Sequence, residues 1–443
     1  MKMTRKKGWA VCLSLLLLLT MVGCTGGGSP GASTDAPAEK GGDAEIAPAT
    51  IVFRTWNPNE EAFIFAREEW EKLGTGIEIE LMQVEYSDHI QTLKVNVASG
   101  EGPDLYGIQV GAIMKEFQEF TLDIAPKAKE TWGNDWEEKF NPLYMEQVKG
   151  HLDSYYGLPI GGLYAGFLWG NMSYFEKYDL TLPTDYDELV AVSQAFRAKD
   201  EYPVIIGAKD DWINLDVYIN IASDINAEKF FAALEAEASF ADPEMVQALA
   251  IWQKCFKDGV FQDGALGVNV YPDMSDLFET EQGGPMCANG SWMCGGIDIW
   301  GVEGVSYEVF TIDWNMDGKP APVAPAVDVV VCVNKETENL DAAWKFFSWF
   351  VDEGAQYMID GKLQYLPAKA GVDIKGDNFS PELMKNLNEI LQTGENEAAG
   401  YREITYPELK QVIADQLKAL ALDEVTPEQA AQTIEDASQA QDR

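Results

Sequence analysis

Residues 50–109 read TIVFRTWNPNEEAFIFAREEWEKLGTGIEIELMQVEYSDHIQTLKVNVASGEGPDLYGIQ, and the local signals in this stretch decide the fold class. Thr50 to Trp56 is rich in β-branched and aromatic residues, as a strand requires. Asn57-Pro58 follows as a helix start, with Asn57 as N-cap and Pro58 at the first helical position. Glu60 and Glu61 suit a first turn, the helix runs to about Leu73, and Gly74 ends it. Ile77 to Val84 alternates as a second strand. Ser87 is placed to cap a second helix that carries Ile90, Leu93 and Val97 on one face. Gly100 to Asp104 (GEGPD) breaks that helix, and Leu105 to Gln109 resumes a strand. Strand and helix alternating in this way predict an α/β domain with a doubly wound parallel sheet.

The pattern continues less regularly. Thr184 opens a helix through Phe196, Val204 to Gly207 is a short strand, and Pro243 to Phe256 is helical. Val327 to Val333 reads as one buried strand. Asn339 starts a helix whose inner face carries Ala343, Phe346, Phe347 and Phe350, ordinary core spacing. Thr426-Pro427-Glu428-Gln429 is a capping box that opens the last helix. No internal repeat is present.

The N-terminus predicts export. Met1 to Gly8 carries Lys2, Arg5, Lys6 and Lys7 without an acid, and Trp9 to Val22 is an apolar and small-residue run. That run is shorter than the roughly 20 residues of a membrane span, so it reads as a secretory signal. Gly23-Cys24 closes it in the pattern of a lipobox, which makes Cys24 the predicted lipidation site and anchors the protein to the membrane. From Thr25 to about Pro48 the composition is that of a flexible tether.

Charge and cysteine content exclude more than they assign. The 73 acidic and 32 basic residues give −41, and losing the four basic residues of the leader takes this to −45. Nucleic acid is therefore not an expected partner. No pair of cysteines has zinc-site CxxC spacing. Cys287 and Cys294 either form a bridge or are buried thiols. With only His89 and His151, a histidine triad or multi-histidine metal site has little material. Neither GxSxG nor GxxxxGK[ST] occurs. Asp313, Asn315, Asp317 and Gly318 begin like an EF-hand loop, but Ala324 stands at its twelfth position where a bidentate Glu is needed. An Asp-Gly turn is expected there, and no cofactor or metal.

Several motifs, in order along the chain, resemble the extracellular solute-binding proteins of the maltose-binding type: TIVFRTW at Thr50, YSDHIQTLKVNVASGEGPDL at Tyr86, YYGLPIGGLYAGFLWGNMSYFEKY at Tyr155, LPTDYDEL at Leu182, ANGSWM at Ala288, VCVNKETENLDAAWKFFSWFVDEGAQ at Val331 and LQYLPAKAGV at Leu363. The resemblance implies a two-lobed fold of the Venus-flytrap type, each lobe a sheet flanked by helices and joined by hinge strands. Residues 1–23 are then the signal and 24–48 the lipidated Cys and tether. Residues 49–160 plus 327–364 form one lobe, and 161–326 plus 365–443 the other. It also implies a non-enzymatic, monomeric receptor that passes a sugar or oligosaccharide from an interlobe cleft to ABC permease subunits.

The candidate site residues follow from that cleft, since Trp covers the C–H face of a sugar and amides and carboxylates serve its hydroxyls. Trp56 and Asn57 end the first strand, and for Trp56 a core position is the alternative. Glu60 either reaches the cleft or is a solvated first-turn acid that suits the helix dipole. Gln109 ends the third strand. Tyr164 and Trp169 lie where the chain first crosses between lobes, and Tyr365 follows a later crossing. Trp212 is on an expected loop beside Asp211. Trp292, in Asn289-Gly290-Ser291-Trp292, matches the family's cleft aromatic. Two rival classes remain at this stage: a glycoside hydrolase, whose catalytic carboxylate pair only the fold could reveal, and a polysaccharide-binding surface protein without a transporter.

Overall fold

The computed structural model describes residues 46–278, 283–293, 305–361, 365–371 and 400–441. The signal sequence, Cys24, most of the tether and Cys294 lie outside the described residues. Among the described residues twelve strands run in chain order: β1 (Ala49–Thr55), β2 (Ile77–Gln83), β3 (Leu105–Ile108), β4 (Leu158–Pro159), β5 (Gly161–Ala165), β6 (Phe167–Asn171), β7 (Val204–Ile205), β8 (Met286–Asn289), β9 (Tyr307–Phe310), β10 (Ala324–Val327), β11 (Val330–Val333) and β12 (Leu366–Pro367).

They form three sheets, in the orders β2-β1-β3-β11-β4, β10-β5-β12 and β7-β8-β6-β9. In the first, β1 pairs with β2 and β3 in parallel, while β11 pairs antiparallel with both β3 and β4. The sheet is therefore mixed, not all-parallel as the opening stretch predicted. The local strand–helix–strand rhythm speaks only for β1 to β3; β11 enters from more than 200 residues later. On one face Ile51 and Phe53 pack with Phe63 and Trp70 of the helix Glu60–Lys72 and with Phe346, Phe347 and Phe350. The expected inner face of the helix Leu340–Trp349 is thus core. On the other face Leu93 and Val97 of the helix Tyr86–Ser99 meet Tyr106, Ile108 and Phe117.

The second lobe is built on the third sheet. The helices Asp211–Leu234, Pro243–Lys257, Pro407–Ala421 and Pro427–Gln439 share one apolar core with it, and Trp252 Nε1 donates to the Leu417 carbonyl at 2.8 Å. The capping box at Thr426 is present, both reciprocal bonds included.

Between the lobes lies the small sheet β10-β5-β12. The chain passes from β4 through β5 into β6, and returns from β9 through β10 into β11. Gly162 of β5 lets the crossing strand pass close to the helix Pro142–Lys149: a Cβ built there would lie 2.0 Å from the Tyr144 ring. Residues 365–371, assigned from sequence to the second lobe, pack on the first. Tyr365 joins its core, Phe140 bridges Lys369, and Lys369 pairs with Asp352 at 2.9 Å.

Several local expectations shift. The first helix is capped by Asn59, not Asn57: the Asn59 side chain accepts from Ala62 N at 2.9 Å, satisfying one orphan donor of the first turn. The second helix starts at Tyr86 after Glu85, with no side-chain cap from Ser87. Asp185, rather than Thr184, caps the helix Tyr186–Arg197, accepting from Glu188 N at 2.8 Å. The run Val327 to Val333 is two strands in two sheets, broken at Asp328, whose carboxylate needs polar partners that a strand interior would not supply. Asp313 accepts from Asp317 N and Gly318 N at 3.1 and 2.7 Å, the expected Asp-Gly turn. No metal-ligand cluster occurs among the described residues.

Candidate functional site

The break at Asp328 organises the junction of the lobes. Tyr365 donates its hydroxyl to Asp328 Oδ2 at 2.5 Å, and Gln109, just past β3, donates its amide to Oδ1 at 3.2 Å. Asn57, just past β1, donates to the Tyr365 hydroxyl oxygen at 2.5 Å. Tyr86, at the start of its helix, donates to Gln109 Oε1 at 2.5 Å, and its ring meets Trp56 edge-on at 5.1 Å. Strand ends β1 and β3, where ligands gather in open α/β sheets, thus feed one hydrogen-bonded set.

From the second lobe come two tryptophans and an arginine. Trp212 sits in the first turn of the helix Asp211–Leu234. Trp292 follows β8, in a turn tied to the hinge strand by Ser291 N donating to the Tyr164 carbonyl (2.9 Å) and Tyr164 N donating to Ser291 Oγ (3.0 Å). The two indoles are 5.8 Å apart, inclined by 60°. Trp292 Nε1 donates to the Tyr271 hydroxyl at 3.0 Å, while its ring packs against the first lobe's core cluster. Arg402 lies over both rings, Cζ at 5.8 Å from Trp212 and 5.3 Å from Trp292, distances at which a guanidinium is attracted to an indole face.

Arg402 also ties the lobes electrostatically. It donates from Nε and Nη2 to the two oxygens of Asp216 at 2.6 and 3.0 Å, the bidentate arrangement that charge-assisted bonds favour. Its Nη1 lies 3.7 Å from Asp328 and 3.4 Å from Glu403, and Glu403 pairs with Lys410 at 2.8 Å. Burial works against the Arg402 charge, yet Asp216, Glu403 and Asp328 hold it above its ordinary value. Burial pushes the Asp216 and Asp328 carboxyls up, with Arg402 opposing. For Glu403 burial is outweighed by Lys410 and Arg402, and the carboxyl falls below its ordinary range. His89, packed 5.5 Å from Trp56, is lowered to about 4 by burial and is neutral at pH 7.

The sequence profile of bacterial extracellular solute-binding proteins matches residues 58–357. The chain belongs to this family. Among relatives, a maltotriose-binding protein of Pyrococcus abyssi is 25% identical over 338 residues, 74% of this chain and 69% of that protein. An uncharacterized ABC transporter extracellular-binding protein of Pyrococcus horikoshii is 22% identical over 256 residues; the match covers 55% of this chain and only 56% of that relative's length. A structure solved in work on xylan utilization by the thermophilic bacterium Caldanaerobius polysaccharolyticus superposes with a TM-score of 0.75 at 19% identity, covering 87% of this chain and 99% of that one. The two-lobed α/β fold of these binding proteins is this chain's fold.

Of the residues singled out in the sequence of this solute-binding protein, Trp56, Asn57, Gln109, Tyr365, Trp212 and Trp292 converge on the junction. Tyr164 is beside them, its backbone bonded to the Trp292 turn. Three others do not join the network. Trp169 is fully buried in the second lobe's core, because β6 is interior to its sheet with both faces covered. Glu60 is exposed and turned back along its own helix onto Arg67 at 2.5 and 3.0 Å. Asp211 pairs with Lys418 at 2.5 Å.

Sequence reasoning missed Tyr86, Asp216, Tyr271, Asp328 and Arg402. Two of them left a signal. Asp216 stands among Ile213, Leu215, Val217, Tyr218 and Ile219 in the first half of its helix, and Asp328 interrupts an apolar run. A charge in such a setting is rarely buried unless paired.

Proposed function

We propose that this protein is the substrate-binding subunit of an ABC importer, taking a sugar or oligosaccharide into the cleft between its lobes and delivering it to membrane permease subunits. The observation that carries the reading is the pair Trp212 and Trp292 set against Asn57, Gln109, Asp328, Tyr365 and Arg402. Broad aromatic faces beside networked amides, carboxylates and a guanidinium suit the C–H patches and hydroxyl rim of a carbohydrate. The maltotriose-binding relative supports the same class of ligand. The protein acts as a monomeric receptor rather than a catalyst, without a cofactor. A glycan offered to it saturates binding and is recovered intact; turnover would move the reading to a hydrolase.

A thermal-shift screen against a carbohydrate panel is the first test, because a ligand that binds only the folded state raises its melting temperature. Closure is the second. Lobes joined by three short strands are suited to hinge motion, so small-angle scattering at saturating cognate ligand is expected to give a smaller radius of gyration than the free protein. An unchanged radius, with binding shown independently, would sink the two-lobe closure mechanism.

Export and anchoring complete the proposal. Among the described residues no helix is long and apolar enough to cross a membrane. Attachment to the outer face of the membrane is assigned to an acylated Cys24. Cys24→Ala is expected to abolish acyl labelling and move the protein out of the membrane fraction, or to stop its processing. Unaltered processing together with unaltered membrane retention would refute the anchor.

A further inference from the structure

Among the described residues, the buried charges at the lobe junction do not balance. Arg402 and Lys410 face three carboxylates, Asp216, Asp328 and Glu403. The same imbalance is felt from the first lobe: the Tyr86 phenol is pushed up by burial and then by Glu403, Asp328 and Asp216, with Arg402 alone opposing. Arg402 itself is only 6% exposed, and its Nη1 makes no hydrogen bond among the described residues although Asp328 and Glu403 are near. A buried charged donor left unmade is costly. It lies on the guanidinium that spans Trp212 and Trp292, so a sugar stacked on those rings could bring an oxygen to it.

We propose that this cluster makes the site selective for uncharged glycans: Arg402 Nη1 donates to a neutral sugar oxygen, while the surplus carboxylate among Asp216, Asp328 and Glu403 excludes uronates. The inference rests on the sugar-binding reading above and narrows its ligand class. An arginine usually invites a carboxylate, but this one is already committed. Asp216 takes two of its nitrogens, and the nearby Asp328 and Glu403 exceed what Lys410 neutralises. A uronate would add a fourth carboxylate in a desolvated site, where like charges repel strongly.

The test pairs neutral oligosaccharides with their own acids. Maltotriose, cellotriose, raffinose and a wider set of neutral di- to tetrasaccharides are titrated beside the same sugars carrying a terminal C6 hydroxymethyl oxidised to carboxylate. Every neutral sugar that binds is expected to lose affinity on oxidation by on the order of tenfold or more. Oxidised forms binding as tightly as their parents, or binding alone, would overturn the inference and leave sugar binding intact. Binding of none of the panel takes away the sugar-binding reading itself. Asp328→Asn removes one charge but keeps an oxygen that can accept from Tyr365, and Glu403→Gln does the same beside Lys410. In whichever variant folds, the neutral-to-acid affinity ratio is expected to shrink, and an unchanged ratio in both would show that this cluster does not discriminate.

Discussion

Trp292→Ala is expected to weaken binding of a cognate oligosaccharide on the order of ten- to a hundredfold while leaving a folded, two-lobed protein. Full burial of a large apolar side chain stabilises by roughly 1.5–3 kcal/mol, and about 1.4 kcal/mol is tenfold in affinity. The substitution removes the ring but not Asn57, Gln109, Asp328 or Tyr365, which bond one another independently of it. Trp292 is half-buried, with Trp212, Arg402 and the Tyr271 hydroxyl around it. A fully buried tryptophan cut to alanine costs about 3–5 kcal/mol of stability; one that keeps a face open costs less. Titration calorimetry with a confirmed ligand and calorimetric melting of the free protein therefore separate the two roles. A large loss of affinity with a modest fall in melting temperature is the expected pair. Intact affinity removes Trp292 from the site, whatever happens to stability.

The parts of the fold that were legible are those whose signal is local. The stretch from Thr50 to Gln109 spells β1, β2, β3 and two helices because periodicity and glycine breaks are read within a dozen residues. Its errors are also local: Asn57 and Asn59 are both plausible caps, and only the backbone path decides which side chain reaches Ala62 N. The candidate site was half legible. Residues at strand ends, Asn57 and Gln109, follow from topology, and Trp292 from its turn. Trp169 was misread because an apolar strand is spelled the same way whether its tryptophan faces a cleft or a second layer of core. Asp328 and Arg402 were invisible as a pair. Gln109 meets Asp328 across 219 residues and Arg402 meets Asp216 across 186, and no period or motif encodes a hydrogen bond over such separations. What the sequence does retain is the anomaly of a charge in apolar company.

The buried Arg402–Asp216 pair carries the largest expected effect on stability. Arg402→Met keeps most of the side chain's volume and its packing over the two indoles, but strands Asp216, a carboxylate only 4% exposed. Removing one partner of a buried ion pair typically costs about 3–5 kcal/mol, because the remaining charge is left uncompensated. Asp328 and Glu403 lose a cation as well, although Glu403 keeps Lys410. The loss has a pH signature whose sign is fixed. Burial already raises the Asp216 carboxyl, and without Arg402 only the more distant Lys410 opposes that rise, with Glu403 adding to it. A folded-state pKa above the unfolded one means that the folded protein holds the extra proton, so the variant becomes less stable relative to wild type as pH climbs through that raised value. Denaturant melts at pH 5 and pH 8 should show a larger deficit at pH 8. The double variant Arg402→Met/Asp216→Leu is expected to regain part of the loss, since an apolar replacement of a buried pair is often neutral or better. It should also lose ligand affinity, because the donor between Trp212 and Trp292 is gone. A single variant that melts within about 1 kcal/mol of wild type would mean that Arg402 is dispensable to the junction, since even ordinary point substitutions commonly cost that much. A deficit equal at both pH values would mean that the stranded Asp216 charge is not what destabilises it.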